Sequence, residues 1–267
     1  MKLPSKQERP EKPAGPRIAL ITGASSGIGH ALALALSQKG YELILFGRNE
    51  QALRELEKEL VSPSRIVICD LACEAGRSLL AKTIHDRVPD LVINNAGIGF
   101  YGDESASEAE AIIDINCTAL VEATHAATRC WRELGRVGTC LNVASALAFT
   151  PTPGMSVYAA SKAFVLSFSL AEDTRYRQYG IRVLTSCPGR VVTAFGERAS
   201  RGGRKKTANP FIHMSADHAA MLMLQQIEKQ KTVSVIDWRT KLLIFLAKIL
   251  PRSLVMHILA KNVQQRL

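Results

Sequence analysis

The sequence lacks an apolar run long enough to cross a bilayer. Its longest apolar stretches, 242–247 and 249–250, are separated by Lys248, whereas a membrane-spanning helix needs roughly 20 apolar residues. The apolar core of a signal peptide is also missing from positions 1–17, which are rich in Lys, Pro and Glu. We therefore expect a cytoplasmic protein, and we expect residues 1–16 to form a flexible basic tail.

Cysteines are few, and their spacing indicates no metal site. The six cysteines form neither a CxxC pair nor the combination of CxxC with HxxxH that is typical of zinc ligands. Several of them lie in apolar runs, for example Cys69 at the end of 65–69. This pattern predicts buried, reduced thiols in a reducing compartment. We expect no bound metal.

Acidic residues are missing from the last 30 residues. Segment 238–267 contains six Lys or Arg residues and no Asp or Glu, and the whole chain has a net charge of +10. A second basic cluster comprises Arg198 and four residues within 201–206. A basic excess is compatible with nucleic acid or a membrane surface. Because the excess is confined to a tail and a loop, and no nucleic-acid-binding module is recognisable, we expect solvated surface and no nucleic-acid partner.

What the sequence contains is an alternation of short apolar runs and longer helical patterns. Seven runs are almost uniformly apolar, as is typical of strands covered on both faces; they are 17–22, 42–46, 65–69, 90–93, 137–143, 182–186 and 232–236. The helical patterns are 27–38, 50–60, 74–87, 118–134, 156–179 and 216–229. This alternation predicts an α/β fold with a doubly wound, seven-stranded parallel sheet. We expect one domain over 17–237 and a helical extension over 238–267, with a break at Pro251.

A glycine-rich turn follows the first predicted strand. Residues 22–29 read Thr-Gly-Ala-Ser-Ser-Gly-Ile-Gly and lead directly into a helical pattern. Glycines let a ligand approach the backbone, and a helix N-terminus presents unpaired N–H groups to a phosphate. Its place in a βαβ unit favours a nucleotide-binding loop over a purely structural turn. The candidate contacts are Gly23, Ser25, Ser26, Gly27, Ile28 and Gly29.

The second strand ends without the acid that usually accepts a ribose hydroxyl of NAD. Gly47 occupies that place and Arg48 follows it, and an arginine can pair with the 2′-phosphate of NADP. We therefore predict NADP(H) in preference to NAD(H), the alternative being that Arg48 is simply exposed. After the third strand, Asp70 either accepts a hydrogen bond from adenine or caps the next helix, and Leu71 lies beside it.

Two further turns of small residues follow the fourth and sixth strands. The turn 94–97 begins with two asparagines, which can tie neighbouring strands together, and it is flat enough for a cofactor to lie on it. The sixth strand ends close to where a nicotinamide carboxamide would lie. The candidate contacts in these turns are Asn95, Ala96, Gly97, Pro188 and Gly189.

Tyr158 and Lys162 share one face of a predicted helix, because they are four positions apart. A phenol has a pKa of about 10, and a cation within about 4–6 Å stabilises the phenolate. We therefore expect Lys162 to lower the pKa of Tyr158. Ser145 follows the fifth strand, where α/β active sites form. Asn116 could hold a water molecule against Lys162.

Together these motifs resemble the short-chain dehydrogenase/reductase family. They are TGxxxGxG at 22–29, NNAG at 94–97, Asn116, Ser145, YxxxK at 158–162 and PGxVxT at 188–193. The resemblance covers about residues 17–237. It implies a Rossmann fold with strand order 3-2-1-4-5-6-7, a homodimer or homotetramer, and cofactor contacts from Val191 and Thr193. In one respect the sequence departs from the family, because Ser26 stands where many NADP-dependent members have Arg.

The resemblance also implies a role for each member of an Asn-Ser-Tyr-Lys tetrad. Tyr158 would donate a proton to the carbonyl oxygen, to which Ser145 hydrogen-bonds. Lys162 would hold the ribose and lower the pKa of Tyr158, and Asn116 would position a relay water. Hydride would pass between nicotinamide C4 and the substrate carbon. The alternatives are a non-catalytic nucleotide-binding or scaffolding relative, and epimerase or dehydratase chemistry on the same scaffold.

Substrate contacts are expected from two segments. Segment 146–155 is mostly apolar, and its Phe149 and Met155 could pack against an aliphatic or ring-shaped substrate. Segment 192–215 corresponds in position to a mobile lid. We therefore expect a lipophilic ketone or acyl substrate. A narrower resemblance of 151–158, 163–168 and 238–252 to the DltE-like and YqjQ-like bacterial reductases leaves the substrate open.

The C-terminal extension repeats apolar residues at helical spacing. They include Trp238, Leu242, Phe245, Leu246 and Ile249, and Leu254, Val255, Ile258 and Leu259 follow Pro251. Such a stretch can pack on its own domain or on a partner subunit. Because it is also cationic, it can instead make peripheral contact with an anionic membrane.

Overall fold

Parallel strands form the centre of the protein in a computed structural model that describes residues 15–200, 213–251, 253–257 and 259. In chain order the strands are β1 (Ile18–Thr22), β2 (Glu42–Gly47), β3 (Ser64–Ile68), β4 (Leu91–Asn94), β5 (Thr139–Val143), β6 (Arg182–Pro188), β7 (Arg190–Val191), β8 (His213–Met214) and β9 (Val233–Ile236). The seven longest strands coincide with the seven predicted runs to within two residues at each end.

The large sheet has the order β3-β2-β1-β4-β5-β6-β9, and every neighbouring pair is parallel. Since β7 and β8 pair only with each other, β9 is the seventh strand of this sheet. The predicted 3-2-1-4-5-6-7 order and the single Rossmann-type α/β domain are therefore confirmed. The carboxyl ends of adjacent strands meet at one edge of the sheet. There Thr22 is in register with Phe46, and Asn94 is in register with Asn142.

Helices cover both faces of the sheet. They are α1 (Gly27–Gln38), α2 (Glu50–Glu59), α3 (Glu74–Arg87), α4 (Ala106–Ile113), α5 (Ala119–Glu133), α6 (Ser156–Tyr176), α7 (Ala194–Ala199), α8 (Ala216–Glu228) and α9 (Trp238–Ile249). On one face α1 and α8 pack together and share an apolar core with α2, and on the other α3 packs against α5. This double covering explains why β1, β2 and β4 are almost uniformly apolar. Among the described residues, no helix is both long enough and apolar enough to traverse a membrane.

The stretch before α5 contains helical structure that the sequence pattern did not predict. Helix α4 is followed by a π-helical turn, Asp114–Thr118, which leads into α5. A capping box starts α4, because Ser105 Oγ accepts from the N–H of Glu108 and the Glu108 carboxylate accepts from the N–H of Ser105. Ile112 is the one buried residue of α4, so the helix has too little apolar periodicity to be recognised. The pair β7 and β8 was also missed, since each strand is only two residues long.

A buried carboxylate joins the end of α6 to β6 and β9. Asp173 is fully buried and accepts hydrogen bonds from Arg182 Nε at 2.8 Å, the N–H of Val183 at 3.0 Å and Thr232 Oγ1 at 2.9 Å, and another from Arg177. Burial alone would raise the pKa of Asp173, but these hydrogen bonds lower it to about 2.

Replacing this carboxylate will destabilise the fold in a pH-dependent way. We expect Asp173→Asn to lower the free energy of unfolding at pH 7 by about 3 kcal/mol, because it leaves the largely buried guanidinium of Arg182 without a carboxylate. The folded pKa of Asp173 is about 2, below the value of about 3.9 for a free aspartate. Its stabilisation is therefore fully present above about pH 4 and is lost as the pH falls towards 2. Urea denaturation at several pH values measures this.

The matched control is Asp86→Asn, since Asp86 pairs with Lys82 on an exposed helix surface and should contribute little. Equal destabilisation by the two substitutions would contradict the structural role of Asp173.

Candidate active site

A cavity of about 960 Å³ lies at the carboxyl ends of the strands of the large sheet. It is lined by all of the predicted site residues except Gly29 and Asn116: Gly23, Ser25, Ser26, Gly27, Ile28, Arg48, Asp70, Leu71, Asn95, Ala96, Gly97, Ser145, Tyr158, Lys162, Pro188, Gly189, Val191 and Thr193. Residues that are distant in sequence therefore meet in one concave site, at the edge of the sheet where α/β proteins bind ligands.

The glycine-rich turn is tightly packed against the first turn of α1. Gly23 and Gly27 adopt positive φ angles of 67° and 59°, which glycine tolerates without strain. Gly29 does not line the cavity, and a Cβ there would lie only 2.3 Å from the carbonyl oxygen of Gly23. The first residues of α1, Gly27 and Ile28, line the cavity, so the helix N-terminus faces a site that could hold a phosphate.

Hydrogen bonds connect this turn to the turn after β4. The Nδ2 of Asn95 donates to the carbonyl oxygens of Thr22 and Gly23 at 3.0 and 3.2 Å. In the opposite direction, Thr22 Oγ1 accepts from the N–H groups of Asn95 and Ala96 at 3.1 and 3.0 Å. Asn94 donates to Asn142 Oδ1 at 2.8 Å and so joins β4 to β5. The two asparagines therefore join neighbouring strands through hydrogen bonds, as predicted.

Arg48 and Asp70 form an ion pair at the rim of the cavity. Arg48 Nη1 lies 3.5 Å from Asp70 Oδ2, and both side chains are largely exposed. The alternative that Asp70 caps α3 is wrong, because the N-cap residue of α3 is Cys73. The Asp70 carboxylate instead accepts a hydrogen bond from the N–H of Ala72, two residues further on, at 3.0 Å. This contact forms an Asx-turn.

A second arginine reaches the glycine-rich turn from α7. Arg198 Nη2 lies 3.4 Å from Ser26 Oγ, across a separation of 172 residues. Ser26 is the N-cap residue of α1, but its side chain does not cap the helix. Arg198 thus brings a guanidinium to Ser26, the position at which the family resemblance implies an arginine for NADP-dependent members. In the sequence Arg198 belongs only to a basic cluster, and nothing local indicates this long-range contact.

Tyr158, Lys162 and Ser145 converge on the wall of the cavity. Tyr158 and Lys162 are both buried on α6, and Lys162 Nζ lies 5.6 Å from the centroid of the Tyr158 ring. The ammonium donates to the carbonyl oxygen of Val143, at the end of β5, at 2.9 Å. Ser145 lines the cavity with them and lowers the pKa of the Tyr158 phenol. The predicted juxtaposition of phenol, ammonium and hydroxyl is therefore present.

The expected acidification of the phenol is not found. Burial raises the pKa of Tyr158 to about 12, although Ser145 opposes this change. Burial lowers the pKa of Lys162 to about 8. The helical spacing reveals the charge of Lys162 but not the cost of burying a phenolate. At this position the cost of burial has the larger effect on the pKa of Tyr158. At neutral pH the phenol is therefore neutral, while most Lys162 side chains remain charged.

Asn116 lies behind the cavity wall, fully buried in the π-helical turn. Its amide accepts from the N–H of Ile98 and donates to the Ile98 carbonyl oxygen, both at 2.9 Å, and donates to Ser161 Oγ at 3.0 Å. Gly97 separates it from Lys162, since a Cβ on Gly97 would lie 3.1 Å from Asn116 Oδ1 and 3.3 Å from Lys162 Nζ. Asn116 thus braces the backbone next to Lys162.

The part of the cavity wall near Tyr158 is largely apolar. Met155 lines the cavity as predicted, but Phe149 does not; it packs instead against a buried cluster that includes Leu120 and Val165. Phe195 on α7 was not predicted, and its ring centroid lies 5.4 Å from that of Tyr158. Of the predicted lid 192–215, the part 201–212 lies outside the described residues.

The C-terminal extension supplies another part of this wall. Its cavity-lining residues are Thr240, Leu243, Ile244, Leu246, Ala247, Leu250, Val255 and Leu259. Helix α9 approaches the end of β6 closely, because a Cβ on Gly189 would lie 2.3 Å from Thr240 Oγ1. The C-terminal extension therefore packs on its own domain along one face of α9, which is one of the two predicted alternatives. Its amphipathic pattern indicated packing on the domain but not that this face borders the site.

Comparisons with known proteins agree on one class of protein. A family model described as short chain dehydrogenase matches residues 17–202. An uncharacterised oxidoreductase of Staphylococcus epidermidis is 32% identical over 195 residues, covering 71% of this chain and 84% of the relative. Sulfoacetaldehyde reductase 2 of Chromohalobacter salexigens is 34% identical over 188 residues, covering 67% and 74%. The structure of a short-chain dehydrogenase from Sphingobium yanoikuyae in complex with NADPH matches with a TM-score of 0.77 and 29% identity, covering 83% and 88%.

Proposed function

The chain belongs to the short-chain dehydrogenase family and is an NAD(P)-dependent oxidoreductase, and we propose that it interconverts a carbonyl group and an alcohol, with Tyr158 exchanging the proton. One observation carries the proposal. Tyr158, Lys162 and Ser145 line the same cavity as the glycine-rich turn, so acid–base groups and a phosphate-binding loop share one site. A non-catalytic scaffold would have no need for a buried phenol and ammonium here.

The cavity residues fit a nicotinamide dinucleotide. The open N-terminus of α1 would hold the diphosphate, because its first N–H groups and the helix dipole favour an anion. Asp70 and Leu71 would contact the adenine end, and Lys162 the ribose near Tyr158. The remaining contacts would come from the predicted residues Asn95, Ala96, Gly97, Pro188, Gly189, Val191 and Thr193. When bound, the nicotinamide supplies or accepts the hydride.

Tyr158 is in the protonation state that carbonyl reduction needs. Because burial raises its pKa to about 12, it holds a proton at neutral pH and can donate it to a developing alkoxide. Ser145 would hydrogen-bond to the same oxygen. Lys162, still charged at neutral pH, would stabilise the phenolate that remains. The relay water that Asn116 would position stays a prediction, supported by its place beside Lys162.

NADP(H) is the cofactor that the charges around the site favour. Arg48 lies on the rim of the cavity, and the end of β2 carries Gly47 in place of a carboxylate. Arg198 adds a second guanidinium beside Ser26. The relative from Sphingobium yanoikuyae that was solved with NADPH supports the same preference. The homodimer or homotetramer and the cytoplasmic location stay predictions.

Removing the charge of Arg48 will change cofactor preference. We expect Arg48→Met to weaken NADPH binding about tenfold, as is typical for the loss of one charged hydrogen bond, and to leave NADH binding unchanged, because NADH has no 2′-phosphate. Titration of cofactor fluorescence measures both dissociation constants. The matched control is Arg54→Met, since Arg54 is exposed on α2 and pairs with Glu50. Equal weakening of NADPH and NADH by Arg48→Met would contradict the preference.

A lipophilic substrate is favoured by the apolar wall formed by Met155, Phe195 and α9. The name of the relative from Chromohalobacter salexigens points instead to a small sulfonated aldehyde. We expect NADPH oxidation with aromatic ketones, 3-oxoacyl esters or steroids, and little with sulfoacetaldehyde or small polar sugars. Product analysis separates reduction from epimerase or dehydratase chemistry.

The control for this screen is Tyr158→Phe, which we expect to lower turnover about 10²- to 10⁴-fold, the usual contribution of general acid–base catalysis. NADPH binding should be preserved. Tyr179→Phe, which alters an exposed tyrosine outside the cavity, should have no effect. Undiminished turnover in Tyr158→Phe would contradict the proposed function.

A further inference from the structure

Helix α9 has two faces with different surroundings. Its inner face lines the cavity, with Leu243, Ile244 and Ala247 among the contacts. Its outer face carries four apolar side chains that take no part in the cavity. They are Trp238, Leu242, Phe245 and Ile249, which are 62%, 49%, 61% and 62% exposed. Spacings of four, three and four residues place these four side chains, here called the outer stripe, along one line of the helix.

Positive charge accompanies the outer stripe. Lys241 is exposed on α9, and the guanidinium of Arg239 lies 5.7 Å from the centroid of the Trp238 ring. The whole segment 238–267 contains six basic residues and no acidic one. An apolar stripe with cationic neighbours and an amphipathic aromatic residue at its end is typical of helices that lie in the plane of a lipid interface.

We infer that the outer stripe binds an anionic lipid surface. A second copy of the chain using this same face is disfavoured, because an isologous contact would bring Arg239 and Lys241 of the two copies together, and α9 has no acidic residue to pair them. Anionic headgroups supply the missing negative charge, and the acyl region accepts the four apolar side chains.

This inference rests on the proposed function and extends it to the source of the substrate. Because one face of α9 borders the cavity and the opposite face would border the lipid, a single helix, about 10–12 Å across with its side chains, would separate the two. A lipophilic ketone dissolved in the bilayer would therefore reach the cavity around α9 without crossing much water. The substrate class is a membrane-dissolved carbonyl compound or alcohol.

Cosedimentation of the full chain with vesicles tests the inference. The vesicles are pure phosphatidylcholine or phosphatidylcholine with phosphatidylglycerol, each at low and high salt. We expect binding to the anionic vesicles that salt weakens. The triple variant Leu242→Gln, Phe245→Gln, Ile249→Gln should lower the partition coefficient at least about tenfold, because three exposed apolar side chains are lost. The double variant Val61→Gln, Leu134→Gln, which removes exposed apolar side chains elsewhere, should bind like the parent.

Further measurements separate this inference from the proposed function. NADPH binding and turnover of a water-soluble ketone should be the same in the triple variant and the parent, whereas turnover of a vesicle-borne ketone should fall. No binding to anionic vesicles, equal binding to both vesicle types, or a triple variant that binds like the parent would overturn the lipid assignment. A triple variant that changes oligomeric state instead would also overturn it, in favour of a second copy. Absence of turnover with every ketone would count against the proposed function alone.

Discussion

Lys162 keeps an ammonium group inside the protein, next to the phenol of Tyr158, and much of the surrounding structure serves to hold it there. Burial lowers the pKa of Lys162 to about 8, and the ammonium is fixed by the carbonyl oxygen of Val143 at 2.9 Å. A charged group can be buried in this way only where a hydrogen-bond acceptor replaces water. That acceptor is the end of β5, so the position of the catalytic pair is set by the sheet itself and by the one-turn spacing on α6.

The same constraint explains why small residues surround the pair. Gly97 leaves room for both the Lys162 ammonium and the Asn116 amide, and a Cβ on Gly99 would lie 2.6 Å from the Tyr158 ring. At the glycine-rich turn, Gly29 lets α1 begin directly against Gly23. Close backbone approach thus occurs both where charge is buried and where a phosphate would bind. Helices α7 and α9 then close the cavity with Phe195, Arg198 and a row of aliphatic side chains.

The strands and most candidate site residues could be predicted because their signals are local: apolar runs, glycine turns and a Tyr-Lys pair at helical spacing. The order of the strands was implied by the family resemblance, not by these local signals. Other features depend on contacts between distant parts of the chain. Arg198 meets Ser26 only through the fold, and α9 borders the cavity only because it returns across the end of β6. The direction of the shift in the pKa of Tyr158 was predicted wrongly for a related reason. The spacing of Tyr158 and Lys162 reveals the neighbouring cation, but it does not reveal how completely the phenol is removed from water. Helix α4 was missed because it buries one residue and depends on its capping box.

The central claim is that burial holds the pKa of the Tyr158 phenol above its ordinary value, beside a charged lysine. The most direct test is an ultraviolet titration of tyrosinate absorbance in the parent protein, from which the same titration of Tyr158→Phe is subtracted. The account predicts no tyrosinate signal from Tyr158 below about pH 10, the ordinary value for tyrosine, with ionisation beginning only above it. A tyrosinate signal from Tyr158 between pH 6 and 8 in the free protein would contradict the account.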